Sequence, residues 1–329
     1  MLLPILFPKL PKETVVRRVD SATVTSTLDV SRRFLRPLKS SKRSPCVAAA
    51  GVNTSYNKRM FRLPIFSAVI CALAAVPSVW SADNQLTARE KADGWILLFD
   101  GHSFAGWEDP AQKSPPGDSF DIADHCLHAT RHPKIDEDLF TARTWRDFEF
   151  DFDWKISPAG NSGVKFRIQD RIFLLSETKS RFEDLANDSA LHRRTDRPAK
   201  GQEYVVGFEY QITDNAANSD AVHNGPLHQT AALYDIFAAA KDVALPVGEF
   251  NHGRLIVKGK HVEHWLNGEK AIDASLDGPE VAAAMAKRWG MGTPIYKLLV
   301  EQPRNQCQIS LQNHGDEAWF KNLKIRELN

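Results

Sequence analysis

The sequence predicts an all-β protein built as a two-sheet antiparallel sandwich. Several runs alternate apolar and charged residues with period two, the mark of strands with one buried face. Short turn signals such as Asn267-Gly268 separate them, and stretches with the 3.6-residue helical repeat are scarce. The chain of 329 residues is 43% hydrophobic and 25% charged, so it can bury a core and is neither disordered nor collagen-like.

The amino-terminal part does not share this pattern. Residues 1–59 carry twelve basic and three acidic residues, so the net +1 of the whole chain leaves the remainder mildly acidic. An acidic globular part offers no footprint for a phosphate backbone, which disfavours nucleic-acid binding. Residues 58–82 place a short basic stretch before an apolar run from about Leu63 to Val76, followed by small residues. This is the layout of a signal peptide cleaved near Ala82, and the run is short of the roughly 20 residues of a spanning helix. The organisation expected is therefore 1–59, a basic arm or a segment ahead of the true start at Met60; 60–82, an export signal; and 83–329, one exported domain with no stable membrane span after processing. An anchor helix behind a basic arm is the alternative.

Within the domain, Phe148 to Lys155 alternates aromatics with charges, predicting that Phe148, Phe150, Phe152 and Trp154 point inward and Glu149, Asp151 and Asp153 outward into solvent. Residues 164–169 and 208–213 alternate likewise. A meander is expected over 255–257, 262–266 and 271–272, and a hairpin joining 308–312 to 319–325 through His314-Gly315-Asp316. Residues 170–202 are highly charged and read as an insertion loop with a helical turn near 182–187. Pro279 to Trp289, followed by Gly290, has helix punctuation.

Candidate chemistry is sparse. The acids at 149, 151 and 153 share a face but miss the glucanase pattern Glu-x-Asp-x-x-Glu, because Trp154 stands at the last position. Gly160-Asn161-Ser162-Gly163 is a turn before a strand whose outward residues are Lys165, Arg167 and Gln169; Glu209 and Gln211 lie on the polar face of another strand. Such side chains hydrogen-bond sugar hydroxyls, and Tyr234 or Trp265 could supply an aromatic platform, with a core role for Trp265 equally open. The pairs His125/His128 and His261/His264 fall on opposite faces of extended segments and make no metal motif, whereas His314 in its turn suits acid–base work. Cys126 and Cys307 are either small buried hydrophobes or, after export, a disulfide.

Taken in order, the strings Gly94-Trp95-Ile96-Leu97-Leu98-Phe99-Asp100-Gly101, Gly106-Trp107, Gly160 to Gly163 with Arg167, and Gly207 to Ile212 with Asp214 resemble the DUF1080 family of 3-keto-disaccharide hydrolases. The resemblance continues through Ala232-Leu233-Tyr234, Gly248-Glu249-Phe250-Asn251, Val257-Lys258-Gly259, Trp265 to Gly268, Leu311 to Gly315 and Trp319 to Asn322. It implies a concanavalin A-like jelly roll, the fold of lectins and glucanases, in exported bacterial proteins acting on oxidised sugars. Three departures stand out: Asn313 where the family has Asp, Phe250 where it has Trp, and the long 170–202 connection.

A ketone at sugar carbon 3 acidifies the hydrogen at carbon 2, so one base can form an enolate that expels the aglycone. The expected machinery is Glu209 or His314 as base, Arg167 and Asn161 as donors to the enolate, and Gln211, Tyr234 and Gln312 as sugar contacts. A carbohydrate or 3-keto-glycoside is the expected partner. No cofactor is expected; a divalent ion would suit the enolate, but no ligand set is readable. The rival expectation is a non-catalytic carbohydrate-binding module, and convergence of Glu209, Arg167 and His314 in one pocket separates the two.

Overall fold

A computed structural model describes residues 83–110, 112–115, 117–175 and 201–328; the basic arm, the apolar run and the turn near 182–187 lie outside the described residues. The strands are β1 (Ile96–Leu97), β2 (Trp107–Glu108), β3 (Phe120–Ala123), β4 (Cys126–Ala129), β5 (Ile135–Asp136), β6 (Leu139–Thr141) and β7 (Phe148–Ile156). They continue as β8 (Asn161–Leu175), β9 (Gly201–Thr213), β10 (Asn251–Lys258), β11 (His261–Leu266), β12 (Glu269–Ser275), β13 (Ser310–Leu311) and β14 (Ala318–Glu327). An eight-stranded sheet runs β12-β11-β10-β7-β14-β4-β3 with β1 on β14, and a six-stranded sheet runs β2-β6-β13-β8-β9-β5. All pairings are antiparallel except β5 with β9. The fold is the expected two-sheet sandwich.

The core lies between the sheets. Phe150 and Phe152 are fully buried, and Phe152 meets Tyr210 of the other sheet edge-on at 5.4 Å. Each such side chain removed from water contributes about 1.5–3 kcal/mol. Gly253, paired with Phe152, leaves room for that ring: a Cβ there would lie 2.5 Å from it. The meander β10-β11-β12 and the helix Pro279–Trp289 form where the sequence places them.

Three expectations are corrected. Glu149 and Asp151 face away from the core as predicted, yet they are buried, at 6% and 3% exposure. Arg254 covers both, through Nε to Asp151 Oδ1 at 2.7 Å and Nη1 to Glu149 Oε1 at 3.3 Å, and Arg326 also pairs with Glu149. Residues 308–312 and 319–325 form no hairpin, because β13 pairs with β6 and β8 in one sheet while β14 pairs with β7 and β4 in the other. The insertion is shorter than expected, since β8 runs to Leu175 and β9 starts at Gly201, with Arg171 bonded to Glu203 at 2.8 Å across the pair. Cys126 and Cys307 are both buried and unpaired.

Candidate active site

The antiparallel pair β8–β9 sets Asn161 opposite Thr213, Gly163 opposite Gln211 and Lys165 opposite Glu209. Val164 and Phe166 enter the core, so alternation turns the odd-numbered row to the polar face. Gly163 has a specific task there. A Cβ on it would lie 2.3 Å from Glu209 Oε1, so the carboxylate folds over the bare backbone of the neighbouring strand.

Glu209 is held from two sides. Lys165 Nζ stands 3.9 Å away, with the two side chains 4% and 13% exposed. Gln312 bridges them when its amide is assigned from the surrounding donors and acceptors: the nitrogen donates to Glu209 Oε1 at 3.2 Å and the oxygen accepts from Lys165 Nζ at 3.1 Å. Ser162 Oγ donates to the Gln312 carbonyl at 2.8 Å, and the Gln312 amide donates to the Gly163 carbonyl at 2.9 Å, which fixes that bridge on β8. Burial pushes the Glu209 carboxyl up to about 6; Lys165 opposes the shift and Asp138 adds to it. Burial also works against the charge of Lys165, but Asp138 and then Glu209 outweigh it and hold the ammonium above its ordinary value.

Tyr234 joins the site because its backbone N–H donates to the Glu209 carbonyl at 3.1 Å. Tyr204, Glu209, Tyr234 and Arg288 line one cleft. His314 is exposed at the edge of this region; desolvation by its surroundings, and then the Lys165 charge, lower its pKa. Its turn is held by Asn313, whose Nδ2 donates to the carbonyls of Ser119 at 2.6 Å and Thr130 at 3.1 Å while Oδ1 accepts from the Gly315 amide at 2.7 Å. Two of the three partners are acceptors, so this pocket calls for an amide where the family usually has a carboxylate.

The other predicted residues fare differently. Asn161 sits on the same row with its Oδ1 buried and unpartnered and its backbone N–H on Asp316 Oδ2 at 3.1 Å. Arg167 does not reach the site. The register of β8 slips between Phe166 and Asp170, Arg167 adopts φ +51°, and its Nη2 donates to the Gly259 carbonyl at 2.7 Å, with Asp147 at 3.5 Å. Gln211 spends its amide on the protein, accepting from the Ile212 N–H at 3.0 Å and reaching the His228 carbonyl at 3.5 Å. Trp265 is half-buried, neither core nor platform: it lies on the outer face of the other sheet, donating to Glu263 Oε2 at 2.7 Å.

Sequence reasoning placed Lys165 on the right face without assigning it a task, and it missed Asp138, Asp220, His228 and Arg288, which no motif marks. Among the described residues, His261, Glu263 and Asp273 bring possible metal-ligand atoms within 4.8 Å of one another. That trio lies on the larger sheet, and Lys270 already bridges its acids at 2.9 and 2.7 Å.

Residues 94–326 match the family described as a 3-keto-alpha-glucoside-1,2-lyase-like domain. A 3-keto-disaccharide hydrolase of Bacteroides thetaiotaomicron is 28% identical over 258 residues, covering 72% of this chain and 80% of that protein. A solved structure of a candidate glycosyl hydrolase from Parabacteroides distasonis aligns with a TM-score of 0.57 at 25% identity, over 75% of this chain and 100% of that one. A second from the same organism aligns with a TM-score of 0.46 at 22% identity, over 71% and 99%. The family match runs from before β1 to within β14, spanning both sheets and every residue of the site, and the chain therefore belongs to the 3-keto-alpha-glucoside-1,2-lyase-like family.

Proposed function

We propose that the protein cleaves the glycosidic bond of 3-keto-glycosides by removing the proton on sugar carbon 2. The observation that carries this is the setting of Glu209: a buried carboxylate raised to about 6 whose immediate partners are an ammonium and an amide. A direct glycosidase works with a second carboxylic acid across the bond, whereas enolate chemistry works with a base beside a cation. The name of the Bacteroides relative points the same way.

In this mechanism the Glu209 carboxylate takes the proton from carbon 2, and the electron pair forms the enolate between carbons 2 and 3. Lys165 donates to the enolate oxygen, which replaces the Arg167 expected from the strand pattern. The enolate then expels the aglycone oxygen from carbon 1, and His314, at the exposed edge, delivers the proton that oxygen needs. Water adds to carbon 1 and passes its proton to His314, while carbon 2 regains a proton from Glu209, so acid and base both end as they began. Export belongs to the same reading: a mature chain beginning near Ala82 is expected, and Met1 at the start of the exported protein would overturn it.

The test is release of a chromogenic aglycone from 3-keto-glucosides by purified protein, with the unoxidised glucosides as controls. Release confined to the keto substrates supports the proposal. Saturable glycan binding with no release from any keto substrate would make the protein a carbohydrate-binding module instead.

A further inference from the structure

Beside Glu209, a chain of charges fixes the hydroxyl of Tyr234. The short helix Ser219–Asn224 is capped by Asn218, whose Oδ1 accepts from the Asp220 amide at 3.0 Å and so anchors Asp220. Asp220 Oδ2 accepts from the Tyr234 hydroxyl at 2.8 Å and faces His228 Nδ1 at 3.0 Å. The other ring nitrogen of His228 faces Asp235 Oδ1 at 3.3 Å, and Asp235 Oδ2 accepts from Arg288 Nη1 at 2.6 Å. Arg288 also donates to the Tyr204 hydroxyl at 3.1 Å and lies 5.1 Å from the centre of the Tyr234 ring.

Donor and acceptor accounting gives this chain a consequence for recognition. An ionised carboxylate only accepts, so the single proton of the Tyr234 hydroxyl is committed to Asp220. Towards the cleft the phenolic oxygen then acts as an acceptor alone. Lys165, on the other flank of Glu209, is a donor alone. Lys165 can therefore receive a carbonyl, whereas the Tyr234 oxygen calls for a donor such as a substrate hydroxyl.

We propose that Tyr234 is a specificity-determining acceptor, held by Asp220, His228, Asp235 and Arg288, that reads a hydroxyl flanking the substrate carbonyl. Such an acceptor favours substrates that keep the hydroxyl beside the ketone over their deoxy analogues. This rests on the reading of the site given above.

The experiment compares the wild type, Tyr234→Phe and Asp220→Ala on a 3-keto-glucoside and on its 2-deoxy and 4-deoxy analogues. Tyr234→Phe should raise KM for the parent about ten-fold with kcat within about three-fold, the size of one neutral hydrogen bond. For the one analogue that lacks the hydroxyl Tyr234 reads, the wild type and Tyr234→Phe should become equal. Asp220→Ala frees the phenolic proton and should narrow the wild-type preference for the parent over that analogue. Equal losses on all three substrates, or no loss on the parent, would overturn the proposal, since a merely structural tyrosine does not discriminate among analogues. If the wild type releases no aglycone, the catalytic reading fails on its own, and calorimetric binding of the same three compounds to wild type and Tyr234→Phe decides this one.

Discussion

Replacing Gly163 with alanine tests the assembly of the site without touching any charged group. The added Cβ would lie 2.3 Å from Glu209 Oε1 and 3.0 Å from both Cγ and Cδ. Carbon–oxygen contacts settle near 3.3 Å, so the carboxylate oxygen must move by about 1 Å. It has little room to do so, with Lys165 at 3.9 Å and the Gln312 amide at 3.2 Å on its flanks. The backbone itself tolerates the change, because Gly163 is in a paired strand and not at positive φ. A 1 Å misplacement of a catalytic group costs on the order of 10²-fold in rate. Gly163→Ala should therefore lower kcat/KM for a 3-keto-glucoside by about 10²-fold, while the melting temperature moves by only a few degrees, as for about 1 kcal/mol of overpacking. Aglycone release and a thermal melt on the same preparation give both numbers. Wild-type turnover in a folded Gly163→Ala protein would refute the argument that Glu209, seated over this glycine, is the base.

Four other outcomes follow from the structure. Glu209→Gln keeps the shape but removes the base, so turnover should fall by about 10²-fold or more; in the wild type, kcat/KM should drop as pH falls through about 6, where Glu209 takes up its proton. Asn313→Asp would face a carboxylate with the carbonyls of Ser119 and Thr130, at a cost of about 3–5 kcal/mol in a denaturant titration, and a neutral result would remove Asn313 as the support of the His314 turn. His264 is fully buried between Phe166 and Tyr210, and burial pushes its pKa down to about 4 from 6.5. The unfolded chain then binds the extra proton first, so stability should fall from pH 6.5 to pH 4 by about 3 kcal/mol, a slope that His264→Phe should reduce.

The fold was legible wherever a strand obeyed period two against a single apolar face. Phe148 to Ile156, the β10-β11-β12 meander and the helix Pro279–Trp289 needed no tertiary information. The failures share a cause: each depended on a partner distant in sequence. Nothing near Glu149 or Asp151 announces that Arg254 and Arg326 will roof them. The charges of 170–175 looked like loop composition, yet Arg171 finds Asp109 and Glu203, and the strand continues.

The site shows the same boundary more sharply. Alternation correctly sets Asn161, Lys165 and Glu209 on one polar face, and it fails two residues beyond Lys165, because a bulge resets the phase of β8 and carries Arg167 to Gly259 and Asp147. Period-two reasoning presumes an unbroken ladder, and a bulge removes that premise; the glycine that accommodates it, Gly207, lies on the partner strand, where a Cβ would meet the Phe166 carbonyl oxygen at 3.0 Å. The cation of the proposed chemistry is instead the residue just before the slip. Lys165 is suited to that place because Asp138 and Glu209 keep it charged in a buried setting, where a lone ammonium would lose its proton. The same ion pair works in the opposite direction on Glu209, which burial alone would raise further above about 6. Glu209 and Lys165 thus each favour the other's charged form, as the proposed reaction requires. That mutual dependence exists only once β8, β9 and the segment carrying Gln312 are brought together, and residue type and spacing along the chain do not encode it.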